Sequence, residues 1–169
     1  MTLFFSLKDS SLGHVLVAQS PLGVLAVMLD DKTEPLVLEL QNHFPQAQLV
    51  AADRDQERIA SEVISLIEDP YIQPTLPLDI HGTPFQLQVW RALQNIPPGK
   101  TVSYNEIAQQ IDSPRAVRAV ANACAANKLA VIIPCHRVIR SDGSLGGYRW
   151  GMERKQKMLE IEHHRAHLS

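Results

Sequence analysis

With 169 residues, 45% hydrophobic and 20% charged, the chain can bury one medium core or two small ones, and its balance excludes a disordered or fibrous protein. Met1-Thr2-Leu3-Phe4-Phe5 is cut by Lys8 and Asp9, which argues against a signal peptide or a membrane span there. Two cysteines exclude a disulfide framework and a four-cysteine zinc site, and without an export signal they point to the reducing cytoplasm. The formal net charge of −2 hides an asymmetry. Residues 1–80 carry four Lys and Arg against twelve Asp and Glu, while residues 81–162 carry eleven against six. A basic half beside an acidic half is the footprint of a protein that meets a polyanion with one half only.

Along the chain, Gly13 to Ala18 and Gly23 to Leu29 are β-branched-rich runs separated by Ser20-Pro21-Leu22-Gly23, which predicts a hairpin. Leu36 to Phe44 reads as a short helix stopped by Pro45. Asp53 can cap a longer helix to about Asp69, with Ile59, Val63, Ile64 and Ile67 on one side. Pro70, Pro74 and Pro77 then break the pattern, and a domain boundary is expected there, giving domains 1–78 and 79–169.

The second half reads as mainly helical. Thr83-Pro84-Phe85-Gln86 combines a capping threonine, a proline at the first helical position and a glutamine three residues after the cap. Phe85, Val89, Trp90 and Leu93 follow at helical spacing, and Pro97-Pro98-Gly99 ends that helix. Ser103-Tyr104-Asn105-Glu106 is a capping box that opens a helix to about Ile111. Asp112-Ser113-Pro114 reads as a three-residue turn, with Ser113 capping a helix from Arg115 to about Ala126. The pair is a helix-turn-helix candidate. Leu129 to Ile133 reads as extended, Arg140 to Ser144 as a turn that could serve as a wing, and Met152 to about Glu162 as a closing helix.

The most specific feature is Ile132-Ile133-Pro134-Cys135-His136-Arg137-Val138. An apolar run delivers a cysteine into a tight turn beside an imidazole and two arginines, Arg137 and Arg140. A thiolate is the nucleophilic form of cysteine, and a neighbouring base or cation favours it. A cysteine alone is more often core than catalytic. The Pro-Cys-His-Arg-Val pentapeptide, however, resembles the active site of the O6-alkylguanine-DNA alkyltransferases without a mismatch. The resemblance covers about 81–162 strongly and 1–80 only weakly, and it looks closest to the C-terminal domain of the bacterial adaptive-response alkyltransferase.

That resemblance implies an α/β N-terminal domain of ribonuclease-H-like fold, followed by a mainly α winged helix-turn-helix domain. It implies irreversible, single-turnover transfer of the alkyl group of O6-alkylguanine, and also of O4-alkylthymine, to Cys135. Residue by residue, it implies catalytic roles for Cys135, His136, Glu162 and Tyr104. DNA contacts would come from Arg118, which fills the gap left by the flipped base, and from Ala116, Val117, Asn127, Tyr104, Ser103 and Arg115. The guanine pocket would be lined by Val138, Tyr148, Arg149, Gly147 and Asn127. The small-sided segment Ala116 to Ala123 has few of the long base-reading side chains of major-groove helices, in keeping with the family's minor-groove binding of double-stranded DNA without sequence preference. The resemblance implies a monomer in the cytoplasm, with no membrane association, no cofactor and no metal. No cysteine cluster precedes Cys124, so neither the zinc-thiolate sensor domain and activator role of the two-domain proteins nor the human relative's structural zinc is implied.

Two other readings remain open from the residues alone. A cysteine-dependent hydrolase would use the same Cys-His-Glu set, but it needs an oxyanion hole and has no use for a helix-turn-helix. A non-catalytic helix-turn-helix regulator would keep Cys135 as core and bind one operator selectively.

Overall fold

The computed structural model describes residues 1–167. By packing, the chain falls into two compact units, 1–81 with 128–132, and 82–127 with 133 onward. None of the described helices is long and apolar enough to cross a membrane.

The first unit is built on a four-stranded sheet of β1 (Thr2–Ser10), β2 (Gly13–Ser20), β3 (Gly23–Asp30) and β4 (Gln48–Ala51), in the order β3-β2-β1-β4. β1, β2 and β3 form an antiparallel meander, and β4 joins β1 in parallel. The expected hairpin is therefore β2–β3. Its turn depends on Gly23, whose φ is +147° and whose Cβ would lie 2.5 Å from the Pro77 backbone. Val24 N–H donates to Pro77 O at 2.8 Å, and Asp79 N–H donates to Val24 O at 2.8 Å, so the proline-rich stretch runs along β3. On one face, Leu3, Leu16, Ala18, Ala26 and Met28 pack with Leu36 and Leu40 of α1 (Glu34–His43). α2 (Arg54–Glu68) starts in a capping box of Asp53 and Gln56, and it buries Ala60, Val63 and Ile67, with Ile59 and Ile64 half-buried.

Residues 128–132 depart from the sequence reading. They form turns with a single bridge to β3 rather than an extended run: Val27 N–H donates to Lys128 O and Ala130 N–H to Val27 O. The excursion satisfies β3 backbone groups that an edge strand would leave bare, and a single linear boundary at 78/79 does not capture it. Val131 there has φ +70°, an uncommon conformation for a β-branched residue.

The second unit contains α3 (Pro84–Gln94), β5 (Val102–Ser103), α4 (Tyr104–Gln110), α5 (Val117–Ala125), β6 (Val138–Ile139) and α6 (Met152–Ala166). The Thr83/Gln86 and Ser103/Glu106 capping boxes are both present. The connection from α4 to α5 is longer than the three-residue turn expected. Ser113 does not cap α5: its hydroxyl turns back toward Ile111 O at 3.5 Å, its N–H donates to Ala108 O, and α5 begins after Ala116 without a side-chain cap. Asp112, at φ +57°, takes the tight corner. β5 and β6 pair in parallel, Val102 with Val138 and Ser103 with Ile139, which pins the segment after the cysteine to the start of α4.

Candidate active site

Cys135, His136 and Arg137 form one turn of 3-10 helix between Pro134 and β6. All three side chains are buried. Behind the cysteine stands Asn127, fully buried just after α5, whose Nδ2 donates to Ile133 O at 3.0 Å and lies 3.3 Å from Cys135 Sγ. One amide thus holds both the approach to the cysteine and the sulfur itself. Arg149 Nη1 donates to Asn127 O at 2.7 Å, tying the glycine-rich loop to the same residue.

Deeper in, His136 Nε2 and Glu162 Oε2 are 2.8 Å apart, and Arg137 Nε donates to Glu162 Oε1 at 2.5 Å. A second donor of Arg137, Nη1, reaches Ile96 O at 2.7 Å. Burial pushes Glu162 up, but the His136 hydrogen bond and the positive charge of Arg137 outweigh it and hold the carboxyl below its usual range. Burial keeps His136 below its usual value despite Glu162. The pair is therefore a neutral imidazole donating from Nε2 to a carboxylate, which leaves Nδ1 as a lone-pair acceptor. His136 Nδ1 is buried and has no protein partner among the described residues.

The thiol opens onto a cavity of about 300 Å³ lined by Tyr104, Ala121, Cys124, Ala125, Cys135, Gly147, Tyr148 and Arg149. Its helix-derived wall is made of the small side chains of α5. Against Tyr104, Gly146 sits at φ +72°, and a Cβ there would press to 3.1 Å from the tyrosine Oη. The positive φ and this close approach to the tyrosine both favour glycine here.

Three comparisons bear on this arrangement. A family model described as "6-O-methylguanine DNA methyltransferase, DNA binding domain" matches residues 84–164. The inducible methylated-DNA–protein-cysteine methyltransferase of Bacillus subtilis is 40% identical over 95% of this chain and 90% of its own length. The chain belongs to the methylated-DNA–protein-cysteine methyltransferase family. It is also 52% identical to the Escherichia coli bifunctional transcriptional activator/DNA repair enzyme Ada over 94% of this chain, but it spans only 45% of that relative's length. The crystal structure of Mycobacterium tuberculosis OGT in complex with DNA is similar at TM-score 0.79 and 32% identity, covering 98% of this chain and 94% of that one.

Within this family member, the structure gathers Cys135, His136, Glu162, Asn127, Tyr104, Tyr148, Arg149 and Gly147 around one thiol. Two residues expected to line the pocket do not. Val138 is fully buried in β6 and offers its carbonyl rather than its side chain, and Asn127 stands behind the sulfur. Ser103 spends its hydroxyl accepting Glu106 N–H at 3.0 Å. Arg115 and Arg118 are exposed, and Ala116 and Val117 are half-buried around the start of α5.

Residues the sequence reading passed over complete the site. Lys155, fully buried on α6, donates from Nζ to Val138 O (2.7 Å), Leu145 O (2.5 Å) and Gly147 O (3.2 Å). All three ammonium donors thus clamp the glycine-rich loop to β6. Burial pulls Lys155 down to about 8, against the nearby Cys135 and Cys124. Arg137, read from sequence only as nearby charge, is the clamp on Glu162. Ala121, Cys124 and Ala125 line the cavity. The one sequence signal for Lys155 is its place seven residues before Glu162 on α6, on the same face as the buried Met158.

Burial pushes the Cys135 thiol up to about 11, opposed by Asn127, Lys155 and Arg149. The resting residue is a thiol, and a base is needed to make it a nucleophile. Burial likewise raises Tyr104 to about 12, so its phenol stays protonated.

Proposed function

We propose that this chain repairs O6-alkylguanine in duplex DNA by moving the alkyl group irreversibly onto Cys135. The observation that carries this reading is a buried thiol on the wall of a cavity, with a base, a carboxylate and an arginine aligned behind it. The lesion would rotate out of the stack into the cavity, at a cost of roughly a few kcal/mol. His136 takes the thiol proton through a water, oriented by Glu162, by the nucleophile–base–orienter logic of hydrolase triads. The sulfur displaces guanine at the alkyl carbon. The C–O6 bond breaks and an S–C bond forms. Tyr104 donates to the departing guanine and recovers a proton by way of His136 and solvent. The product is a thioether, which has no acyl carbon for water to attack, so each copy acts once.

The finer features of the reading rest on stated supports. Exposed Arg115 just before the small-sided α5 and exposed Arg118 on its first turn support minor-groove binding of double-stranded DNA, without sequence preference, with Arg118 filling the vacated base position. The same chemistry would reach O4-alkylthymine. The turn from Arg140 to Ser144, closed by Arg140 N–H to Ser144 O at 2.9 Å, supports a wing. The β3-β2-β1-β4 order with β4 parallel to β1 supports a ribonuclease-H-like first domain, taken as 1–78, with 79–169 as the alkyltransferase domain. A monomer acting in the cytoplasm completes the reading.

The test is intact-mass spectrometry after incubation with a duplex carrying one O6-methylguanine. The expected result is one methyl group gained per molecule, and none by Cys135→Ala. Binding without mass gain by the unaltered protein would overturn the transferase reading. Affinity for the duplex should fall steeply with salt, as phosphate contacts require.

A further inference from the structure

Among the described residues, Trp150 Nε1, on the ring beyond Tyr148, is buried without a protein partner, and so, beside Cys135, are His136 Nδ1 and the Tyr148 hydroxyl. The last two belong to neighbouring rings, packed edge to face with centroids 6.4 Å apart. Tyr148 also lines the cavity into which Cys135 opens. Its other ring neighbour, Trp150, lies at 5.4 Å, also edge to face, so the phenol is held between two aromatic side chains. A buried polar group without a partner costs roughly 1–3 kcal/mol, and such groups persist where a water or a ligand satisfies them.

The donor and acceptor inventory of His136, Tyr148 and Cys135 fits one water. Nδ1 accepts, because Nε2 carries the proton shared with Glu162. Burial raises Tyr148 well above its usual value, so its hydroxyl donates. The Cys135 thiol is a further donor. A single water accepting from Tyr148 and Cys135 while donating to His136 would have three partners, the usual number for a buried water.

We infer that Tyr148 is a positioning residue, whose hydroxyl holds the water that carries the Cys135 proton to His136. This inference rests on the alkyl-transfer reading. In the step, the S–H bond breaks, the proton passes to the water, and a proton of that water passes to Nδ1. The water is regenerated, the thiolate and imidazolium form together, and Tyr148 keeps its proton throughout. Tyr104, which also lines the cavity, keeps its separate role toward the leaving guanine.

The experiment compares the single-turnover rate of methyl gain for the unaltered protein, Tyr148→Phe, His136→Gln and the double variant, on a duplex carrying one O6-methylguanine, between pH 6.5 and 9.5. Phenylalanine keeps the ring packing and removes only the hydroxyl. The expected result is a fall of about tenfold or more at neutral pH for Tyr148→Phe, within the range proton-transfer groups contribute, with affinity for an undamaged duplex unchanged. The deficit should shrink as pH rises, because direct ionisation of the thiol replaces the relay. In the His136→Gln background, Tyr148→Phe should add nothing, since the acceptor is already gone. The charged and polar neighbours are Asn127, Arg149 and Lys155 at the thiol, Glu162, Arg137 and Lys155 at the imidazole, and Arg154 and Glu162 at the phenol. Both proteins share them, so the ratio of rates removes their own titration. A Tyr148→Phe rate within twofold of the unaltered protein, a deficit constant across pH, or full additivity with His136→Gln would each overturn the inference. Absence of methyl gain by the unaltered protein would instead overturn the reading beneath it.

Discussion

In the first unit, the sheet is buried under aliphatic side chains such as Leu3, Leu16, Val17, Met28 and Leu36, and its buried polar residues are the uncharged Ser6, Gln19 and Ser20. In the second, Asn127 after α5, His136 and Arg137 in the cysteine turn, and Lys155 and Glu162 on α6 are all buried. An aliphatic core gains stability from area removed from water, and it forgives small rearrangements. A buried charged network holds only while each member is satisfied, and removing one partner leaves another stranded. The two units therefore put stability and chemistry in different hands.

The sharpest test of that division is Lys155→Met, which strands the carbonyls of Val138, Leu145 and Gly147. With each orphan costing about 1–3 kcal/mol, the expected loss is roughly 3–5 kcal/mol, or about 10 °C or more in Tm by calorimetry. The rate of methyl gain should fall as well, because the loop bearing Tyr148 and Arg149 loses its clamp. Leu16→Ala makes the contrast. It should cost about 2–5 kcal/mol, read as a lower denaturant midpoint, while the rate per folded molecule stays as it was. A rate loss there would break the comparison.

Glu162→Gln removes the charge that Arg137 and His136 share. The expected outcome is about a hundredfold slower transfer in single-turnover kinetics, equivalent to about 2.7 kcal/mol in the barrier, with duplex affinity retained. The smallest effect belongs to Asp53→Ala, which removes the α2 cap. It should cost about 1 kcal/mol by chemical denaturation and leave transfer untouched.

How far the molecule was legible follows the same division. Helix starts were plain because capping chemistry is local: Asp53, Thr83 and Ser103 each bond a backbone N–H three residues on. β4 escaped notice because its four residues are mostly exposed and carry little pattern. Ser113 misled because a cap-type residue before a proline can bend its hydroxyl back to Ile111 as readily as forward. The extended reading of Leu129 to Ile133 failed for a tertiary reason, since these residues bridge β3, a hundred residues earlier in the chain. At the site, the motif drew Cys135, His136, Asn127 and Glu162 to one place, where the structure also has them. Lys155 stayed hidden because hydropathy assigns a lysine to solvent, and nothing local announces three carbonyls waiting for it.

The raised and enclosed thiol has a consequence for the life of the molecule between encounters with DNA. On the proposed reaction each copy is spent once, and it must not be spent in waiting. Exposed cysteine thiolates are consumed by peroxides, by disulfide exchange and by stray electrophiles. A thiol held near 11, 4% exposed and braced by Asn127, presents almost none of its reactive form to them. On the proposed chemistry, the same burial that calls for a base would shield the unused thiol.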